Sequence, residues 1–275
     1  MIPNLPTFRI LPLDSLILHE DHDRQRTLPL VEKLRAQGIL RNPPIVMPLQ
    51  DDSQRYMVLD GANRVTSLQE MEFPHIVAQV VEANDPHVTL QTWNHIVWGM
   101  DPQQLLEKIY QVPQVQIQRI DSQRSIEPPG CPAMQVRLVT GEIFLLCLPS
   151  PLLEEVAALH GIVNCYKDSA SLDRTSQTLI ETFKTIYPDL TALVIFPRFE
   201  IKTVLSLVSQ GSVLPTGITR FTVSPRGLHL NYPLHELSSG KPIEYKEAYL
   251  QHWIQERIKK KGIRYYAEAT FLFDE

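Results

Sequence analysis

The most constraining feature of the sequence is a strand that turns directly into a helix. Residues 55–60 are rich in strand-forming side chains, Gly61 interrupts the run, and Val65, Leu68 and Met71 follow at helical spacing. The first N–H groups of such a helix have no partner within it and lie at the positive end of its dipole. The turn therefore predicts an anion site of the kind that holds phosphate groups.

Three side chains of this turn suit such a site. Gly61 lets the backbone approach an anion closely, and Arg64 can donate two hydrogen bonds to phosphate oxygens. Asp60, at the carboxyl end of the strand, could hold Mg²⁺ through its oxygens. An Asp before a helix also commonly caps the helix N-terminus. The residues alone leave both roles of Asp60 open.

The rest of the chain also alternates between predicted strands and helices, which indicates an α/β protein. Further strands are predicted over residues 13–19, 45–49, 76–81, 115–120, 134–139, 142–148 and 191–196. Further helices are predicted over residues 27–37, 101–110, 150–161, 174–186, 201–209 and 243–260. A turn at residues 84–86 marks a predicted domain boundary.

Charge and hydropathy limit the classes of partner. The chain has 26 Lys and Arg against 31 Asp and Glu, a net charge of −5, whereas binding to a nucleic-acid backbone depends on a basic excess. The longest apolar run, at residues 143–148, is far shorter than the roughly 20 residues that cross a membrane. The N-terminus lacks the pattern of a signal peptide. We therefore expect a cytoplasmic globular protein with no membrane partner.

Glu20 is a second candidate for chemistry. It follows the predicted strand at residues 13–19, inside a run of acidic residues and histidines. If that strand lay beside the strand that ends at Asp60, two carboxylates would meet at one sheet edge. Such a pair suits a general base next to a metal–phosphate site. A solvated charged loop is the alternative for most of this run.

Two further segments carry side chains suited to a small polar ligand. Trp93 offers an aromatic face and is followed by Asn94 and His95, which can form hydrogen bonds. Residues 215–220 combine a glycine turn with Thr219 and Arg220, which suits a carboxylate or a phosphate. The alternatives are a buried tryptophan and a plain turn with an exposed arginine.

Taken together, these segments resemble a known family. The strands predicted at residues 45–49 and 55–60 form a predicted hairpin across the polar residues 50–54. Residues 38–44, this hairpin and residues 58–64 are similar to the ParB/sulfiredoxin-like nucleotide-binding fold. The order of motifs along nearly the whole chain resembles the free L-serine kinases of that superfamily. These motifs are His19-Glu20, the Asp-Gly-x-x-Arg turn at 60–64, Trp93-Asn94-His95, residues 215–220 and the tail at 271–275.

The resemblance implies the architecture and the reaction. It implies a ParB/sulfiredoxin-like nucleotide-binding lobe over residues 1–100 and a second α/β lobe over residues 101–275 that completes the substrate cleft. It implies transfer of a phosphoryl group from ATP or ADP, with Mg²⁺, to the hydroxyl of free L-serine, giving O-phospho-L-serine. Ala62 and Asn63 resemble the siderophore-associated branch more than the archaeal one, which favours ATP and a role in siderophore biosynthesis.

The resemblance also implies roles for individual residues. Glu20 corresponds to the catalytic acid/base, and Asp60 to the second catalytic carboxylate and Mg²⁺ ligand. The phosphate-binding residues would be Gly61, Ala62, Asn63 and Arg64. The residues that hold serine or phosphoserine would be Trp93, Asn94, His95, Thr219 and Arg220.

Three alternative functions share parts of these motifs. A ParB-like regulator would bind nucleotide and DNA without turnover, but the negative charge and the strands predicted over residues 115–148 argue against it. Sulfiredoxin chemistry needs a cysteine in the phosphate turn, and residues 61–64 contain none. A kinase for another small hydroxyl compound would differ only in its substrate clamp. The sequence does not indicate haem or DNA as a partner.

Overall fold

The computed structural model describes residues 5–22, 27–51, 53–121 and 132–266, and the chain divides into two compact units. The first unit takes its described residues from the ranges 1–17, 23–87 and 223–275, and the second from 18–22 and 88–222. The sequence predicted a single division at residue 100. The observed division differs because the C-terminal residues pack on the N-terminal ones: the N–H of Ile10 donates to the carboxylate of Glu247 at 2.7 Å.

A five-stranded sheet forms the centre of the first unit. Its strands are β1 (Phe8–Pro12), β2 (Leu16–Leu18), β4 (Ile45–Pro48), β5 (Tyr56–Asp60) and β6 (His75–Val80). Their order across the sheet is β1-β6-β4-β5-β2. β4 and β5 form the predicted antiparallel hairpin, and β4 runs parallel to β6. A separate pair joins β3 (Ile39–Leu40) to β15 (Tyr232–Pro233).

Four helices complete the first unit within its described residues. They are α1 (Thr27–Gln37), α2 (Ala62–Glu70), α6 (Leu234–Ser238) and α7 (Ile243–Lys259). α1 and α2 pack against each other and bury Val31, Leu34, Val65 and Leu68. Each such side chain contributes roughly 1.5–3 kcal/mol of hydrophobic stabilisation. This burial fixes α2, and with it the turn that follows β5.

The second unit contains a six-stranded sheet. Its strands are β8 (Asn94–Trp98), β9 (Gln116–Ile120), β10 (Ala133–Leu138), β11 (Ile143–Cys147), β12 (Ser171–Thr175) and β13 (Leu190–Ile195). They lie in the order β12-β8-β13-β10-β11-β9, and neighbouring strands are antiparallel. A two-stranded sheet pairs β7 (Val88–Thr92) with β14 (Thr219–Val223). The helices are α3 (Pro102–Tyr110), α4 (Leu152–Asn164) and α5 (Ile201–Ser209).

The structure corrects three of the predicted elements. The strand predicted over residues 13–19 is a 3₁₀ turn at Leu13–Ser15 followed by the short β2. The helix predicted over residues 174–186 is wrong, since β12 ends there and only Ile180–Phe183 forms a 3₁₀ turn. Ile180 and Phe183 are buried against Ile96, so their spacing of three reflects packing of an irregular segment.

The third correction concerns α4, which was predicted to end at Gly161. The helix continues to Asn164. A Cβ at Gly161 would lie 2.8 Å from a methyl carbon of Val112, so the glycine serves close packing within the helix. The α/β fold class itself is confirmed. Among the helices of the described ranges, none has the length and hydropathy needed to cross a membrane.

Candidate active site: two carboxylates held by hydrogen bonds

The carboxylate of Glu20, in the second unit, is held largely by main-chain groups. Its Oε1 accepts hydrogen bonds from the N–H groups of Ile218 (3.0 Å) and Thr219 (2.6 Å) and from the Thr219 hydroxyl (2.5 Å). Its Oε2 accepts one bond, from the N–H of Gly217 at 2.7 Å. Each carboxylate oxygen offers about two lone pairs. Within the described residues, Oε2 therefore keeps an acceptor position that Oε1 no longer has.

The backbone on both sides of Glu20 is fixed as well. The N–H of Leu214 donates to the carbonyl of His19 at 2.8 Å, and the N–H of Asp21 donates to the carbonyl of Leu214 at 2.8 Å. The carboxylate of Asp21 also lies 3.3 Å from Nδ1 of His160 on α4. Glu20 is thus presented from a segment with little freedom to move.

His19 extends the hydrogen bonding of Glu20 through Thr219. The Nε2 atom of His19 lies 2.6 Å from Oγ1 of Thr219. A hydroxyl has a single hydrogen, and that of Thr219 is donated to Glu20, so the contact assigns the proton to Nε2 of His19. The sequence motif contained His19 but gave it no role, because its partner is 200 residues away.

The turn that holds Glu20 depends on Gly217. This residue has φ +76°, which side chains rarely adopt, and a Cβ there would lie 2.6 Å from Nη2 of Arg174. Its carbonyl oxygen lies 3.0 Å from Nε2 of His95, while Nδ1 of His95 lies 2.8 Å from the Tyr166 hydroxyl. His95 therefore supports the turn from inside the unit.

His95 is completely buried. The pKa of His95 is lowered to about 4, mainly by burial. The hydrogen bond to the Gly217 carbonyl raises this pKa, and the charge of Arg174 lowers it. The ring is consequently neutral near pH 7, with its proton on Nε2 and the Tyr166 hydroxyl donating to Nδ1. Both nitrogens are used within the protein.

The other predicted substrate residues divide into two groups. Asn94 is buried: its Nδ2 donates to the carbonyl of Gln177 at 3.0 Å, and its Oδ1 accepts from the N–H of Phe196 at 3.3 Å. Trp93 and Arg220 retain exposed surface, and the guanidinium carbon of Arg220 lies 4.5 Å from the centroid of the Trp93 ring. The N–H of Trp93 donates to the carbonyl of Ile218. The structure thus brings the segments 92–95 and 215–220 together.

Asp60, in the first unit, is held by side chains instead. Its Oδ2 accepts a hydrogen bond from Nη2 of Arg64 at 3.0 Å and another from Nη2 of Arg226. Gly61 is the N-cap of α2, and no side chain caps this helix, so the capping role for Asp60 is wrong. Two positive charges and one negative charge leave a net charge of +1, which favours an anion. Sequence reasoning missed Arg226, which no local pattern distinguishes.

Arg64 has unused hydrogen-bonding capacity. Its side chain is 20 % exposed, and its Nε atom is buried and has no hydrogen-bond partner among the described residues. Burial lowers the pKa of Arg64; the Asp60 carboxylate raises it, and the Arg226 charge lowers it further. A buried donor without a partner costs about 1–3 kcal/mol. A phosphate oxygen at Nε would remove that cost.

The absence of a side chain at Gly61 leaves room for the guanidinium of Arg64. It has φ +96°, and a Cβ there would lie 2.6 Å from Nη2 of Arg64 and 2.9 Å from Cβ of Pro44. The N–H of Arg64 donates back to the carbonyl of Gly61 at 2.9 Å. The N–H groups of Ala62 and Asn63 precede it in the first turn of α2, where helices have unpaired donors.

A groove of about 1320 Å³ also opens in the second unit. Its walls include Asn94, Gln135, Arg137, Glu155 and Arg198. Burial raises the pKa of Glu155 and lowers that of Arg137. The groove does not include Glu20, Thr219 or Arg220, so it is separate from the carboxylate described above. Within the described ranges, no three His, Cys, Asp or Glu side chains are grouped to hold a metal ion.

Sequence comparison finds relatives with a named activity. No protein-family model matches the chain. The chain is 24% identical over 272 residues to the ATP-dependent L-serine kinase SbnI of Staphylococcus aureus, covering 97% of both proteins. It is 31% identical over 100 residues to an ATP-dependent L-serine kinase of Staphylothermus marinus, covering 36% of this chain and 39% of that protein.

Solved structures share the fold. SbnI from Staphylococcus aureus with a C-terminal truncation superposes with a TM-score of 0.70 at 22% identity, over 92% of this chain and 97% of that one. A free serine kinase in complex with AMP superposes with a TM-score of 0.65 at 17% identity, over 86% and 98%. The chain therefore has the fold of the free serine kinases, and its resemblance to them extends over almost its whole length, as the order of its motifs predicted.

Proposed function

We propose that the chain is a free L-serine kinase that transfers a phosphoryl group from ATP to the serine hydroxyl and releases O-phospho-L-serine and ADP. The similarity to an ATP-dependent L-serine kinase over 97% of both proteins supports the reaction and the donor. The observation that carries the proposal is the carboxylate of Glu20, which four hydrogen bonds hold in place with Oε2 engaged only once.

Glu20 acts as the general base in this proposal. The serine oxygen attacks phosphorus as its proton passes to Oε2 of Glu20, and the bond between phosphorus and the ADP oxygen breaks with its electron pair leaving on ADP. Phosphoryl transfer requires mainly alignment, charge neutralisation and a proton acceptor. General base catalysis of this kind contributes roughly 100–10,000-fold in rate.

The turn after β5 binds the nucleotide phosphates. Arg64 contributes a guanidinium with a free buried Nε, and Gly61, Ala62 and Asn63 contribute the backbone of the helix N-terminus. Asp60 organises the guanidinium of Arg64 through the 3.0 Å contact. That Asp60 and Glu20 act on the same pair of substrates is part of the proposal.

Mg²⁺ would join this set of residues together with the nucleotide, whose phosphate charges outweigh the net charge of +1 around Asp60. Magnesium in kinases is commonly bound by one or two carboxylates together with substrate phosphates and water, so a cluster of three protein ligands is not required. Asp60 uses Oδ2 for its two arginines, and Oδ1 is the oxygen that would hold the ion. When bound, the ion would neutralise charge on the phosphate oxygens.

Trp93 and Arg220 form the serine side of the site, and Thr219 supports Glu20 beside them. Arg220 is ordered against the Trp93 ring and would pair with the carboxylate of serine or the phosphate of the product. Thr219 fixes Glu20 through its hydroxyl. Asn94 and His95 do not contact serine in this proposal, because both side chains are buried and hydrogen-bonded within the unit. We assign them to positioning the segments around residues 196 and 217.

Phosphorus NMR tests the reaction directly. The protein is incubated with Mg²⁺ and L-serine and with either ATP or ADP. We expect a phosphoserine signal with ATP, and none when serine is omitted. The signal should disappear in Glu20→Ala and persist in the control Glu200→Gln, whose exposed carboxylate pairs with Lys202. Nucleotide binding without phosphoserine from either donor would contradict the kinase and favour a ParB-like regulator.

A further inference from the structure

Arg226 is held against the phosphate-binding turn without belonging to it in sequence. It lies 166 residues from Asp60, and its Nη2 donates to the same Oδ2 atom that accepts from Arg64. Among the described residues, Asp60 is its one hydrogen-bond partner, so four of the five N–H donors of its guanidinium remain available. The side chain is 42 % exposed and therefore accessible to a ligand.

Gln79 fixes the backbone on both sides of Arg226. This glutamine is 2 % exposed on β6. Its Nε2 donates to the carbonyl of Pro225 at 3.0 Å, and its Oε1 accepts from the N–H of Gly227 at 2.9 Å. The buried amide of Gln79 thus bonds to the residues directly before and after Arg226. A buried polar side chain costs free energy unless it is hydrogen-bonded, and here both halves of the amide are used on this segment.

The segment that follows is fixed as well. A Cβ at Gly227 would lie 2.9 Å from Cε1 of Phe8 on β1, so the chain runs against the aromatic ring. The N–H of His229 donates to Oδ1 of Asn42 at 2.8 Å. The backbone that carries Arg226 is therefore pre-organised before any ligand binds.

We propose that Arg226 binds a nucleotide phosphate together with Arg64, and that Gln79 is the residue that positions it. The two guanidiniums meet at one carboxylate oxygen with a net charge of +1, and the buried Nε of Arg64 has no partner in the part of the chain that the structure describes. A phosphate group has three acceptor oxygens and can accept hydrogen bonds from both guanidiniums at once. The inference rests on the proposed function in that ATP is the ligand.

Direct binding measurements test the role of Arg226. ATP with Mg²⁺, and adenosine as a probe without phosphate, are titrated calorimetrically into wild type, Arg226→Gln and Arg226→Lys. We expect Arg226→Gln to weaken ATP binding at least tenfold and to leave adenosine binding within twofold. Arg226→Lys should recover part of the lost ATP affinity, since lysine keeps the positive charge but lacks the paired N–H donors of the guanidinium. Arg55→Gln is the matched control, because Arg55 pairs with Asp51 in the same unit away from the turn.

A double-mutant cycle tests the positioning role of Gln79. Gln79→Leu should weaken ATP binding in the wild-type background and add no further loss in the Arg226→Gln background. A merely structural glutamine would lower the thermal unfolding midpoint equally in both backgrounds and leave the ATP affinity unchanged in each. Equal ATP affinities of wild type and Arg226→Gln would overturn the inference, as would wild type that does not bind ATP. Arginine-dependent ATP binding without phosphoserine formation would leave it intact and contradict the kinase instead.

Discussion

Glu20 in the second unit receives three of its four hydrogen bonds from backbone N–H groups, whereas Asp60 in the first unit is held by the side chains of Arg64 and Arg226. All four donors to Glu20 are neutral, and the three backbone donors cannot leave without unfolding the turn at residues 217–219. The donors to Asp60 are charged side chains, which can exchange one anion for another.

This difference matches the two tasks proposed for the carboxylates. A general base must stay in place while its protonation changes, and neutral backbone donors provide a fixed setting without a competing charge. A phosphate site must be stable without a ligand, and its positively charged side chains must still be able to bind a phosphate when one enters. A carboxylate shared by two arginines does this, because the empty site is partly neutralised and the net charge of +1 remains attractive.

The pH dependence of the unfolding free energy tests how much the buried His95, which supports the turn that holds Glu20, contributes to stability. The pKa of His95 is about 4 when folded and 6.5 ordinarily, so folding favours the neutral ring. This stabilisation is complete above pH 6.5 and is lost as pH falls towards 4. We expect it to amount to about 3 kcal/mol.

Denaturant unfolding of wild type and His95→Gln at pH 7, 6, 5 and 4 measures this contribution. The difference between the two proteins should shrink as pH falls. His235→Gln is the control, because the ring of His235 is 75 % exposed. A difference that stays constant across this range would mean that the buried ring does not link the turn to pH.

A glycine substitution tests the close approach on the Asp60 side. In Gly61→Ala the new Cβ would meet Arg64 and Pro44. We expect a loss of about 2 kcal/mol in unfolding free energy and a rise of at least tenfold in KM for ATP as the guanidinium is displaced.

Gly141→Ala is the matched control for this substitution. Gly141 has φ +97°, almost the same as Gly61, but apart from its chain neighbours no atom of the described residues lies within 4 Å of a Cβ at that position. It should lose about 1 kcal/mol through backbone strain and leave KM for ATP unchanged. If both variants behave alike, the contact between Gly61 and Arg64 has no role in nucleotide binding.

Removing the one side-chain donor to Glu20 should have the smallest effect. Thr219→Val deletes the hydroxyl that bonds to Oε1 and keeps the backbone N–H that bonds to the same atom. Since one hydrogen bond to a charged group contributes roughly 1.5 kcal/mol, we expect kcat to fall about tenfold with KM for serine nearly unchanged. Thr222→Val, which removes a hydroxyl bonded to Thr89, should change neither. A raised KM with normal kcat would instead place Thr219 on the substrate.

Local patterns predicted much of the secondary structure. The strands of the β4–β5 hairpin and the strand at 191–196 are confirmed to within one residue at each end, and the predicted helix after Gly61 is present. In these elements, apolar periodicity and turn residues favour the same conformation as the tertiary packing. The helix predicted over residues 174–186 failed because its apolar residues serve an irregular segment packed on β8 and β13.

Contacts distant in sequence account for what the patterns did not predict. Arg226 reaches Asp60 across 166 residues, and His19 reaches Thr219 across 200. The C-terminal residues return to the first unit, which a boundary drawn from local composition does not show. His95 stood out as a hydrogen-bonding residue, but only the structure shows that its partners are Tyr166 and Gly217.

The most direct test of the role of Glu20 is the single-turnover rate of Glu20→Gln measured beside its ATP affinity. If Glu20 is the general base, phosphoserine formation slows at least about 100-fold, while the ATP dissociation constant stays within twofold of wild type and the unfolding transition is preserved. A rate within tenfold of wild type would contradict this role, because the proton of the serine hydroxyl would then have another acceptor than Oε2 of Glu20.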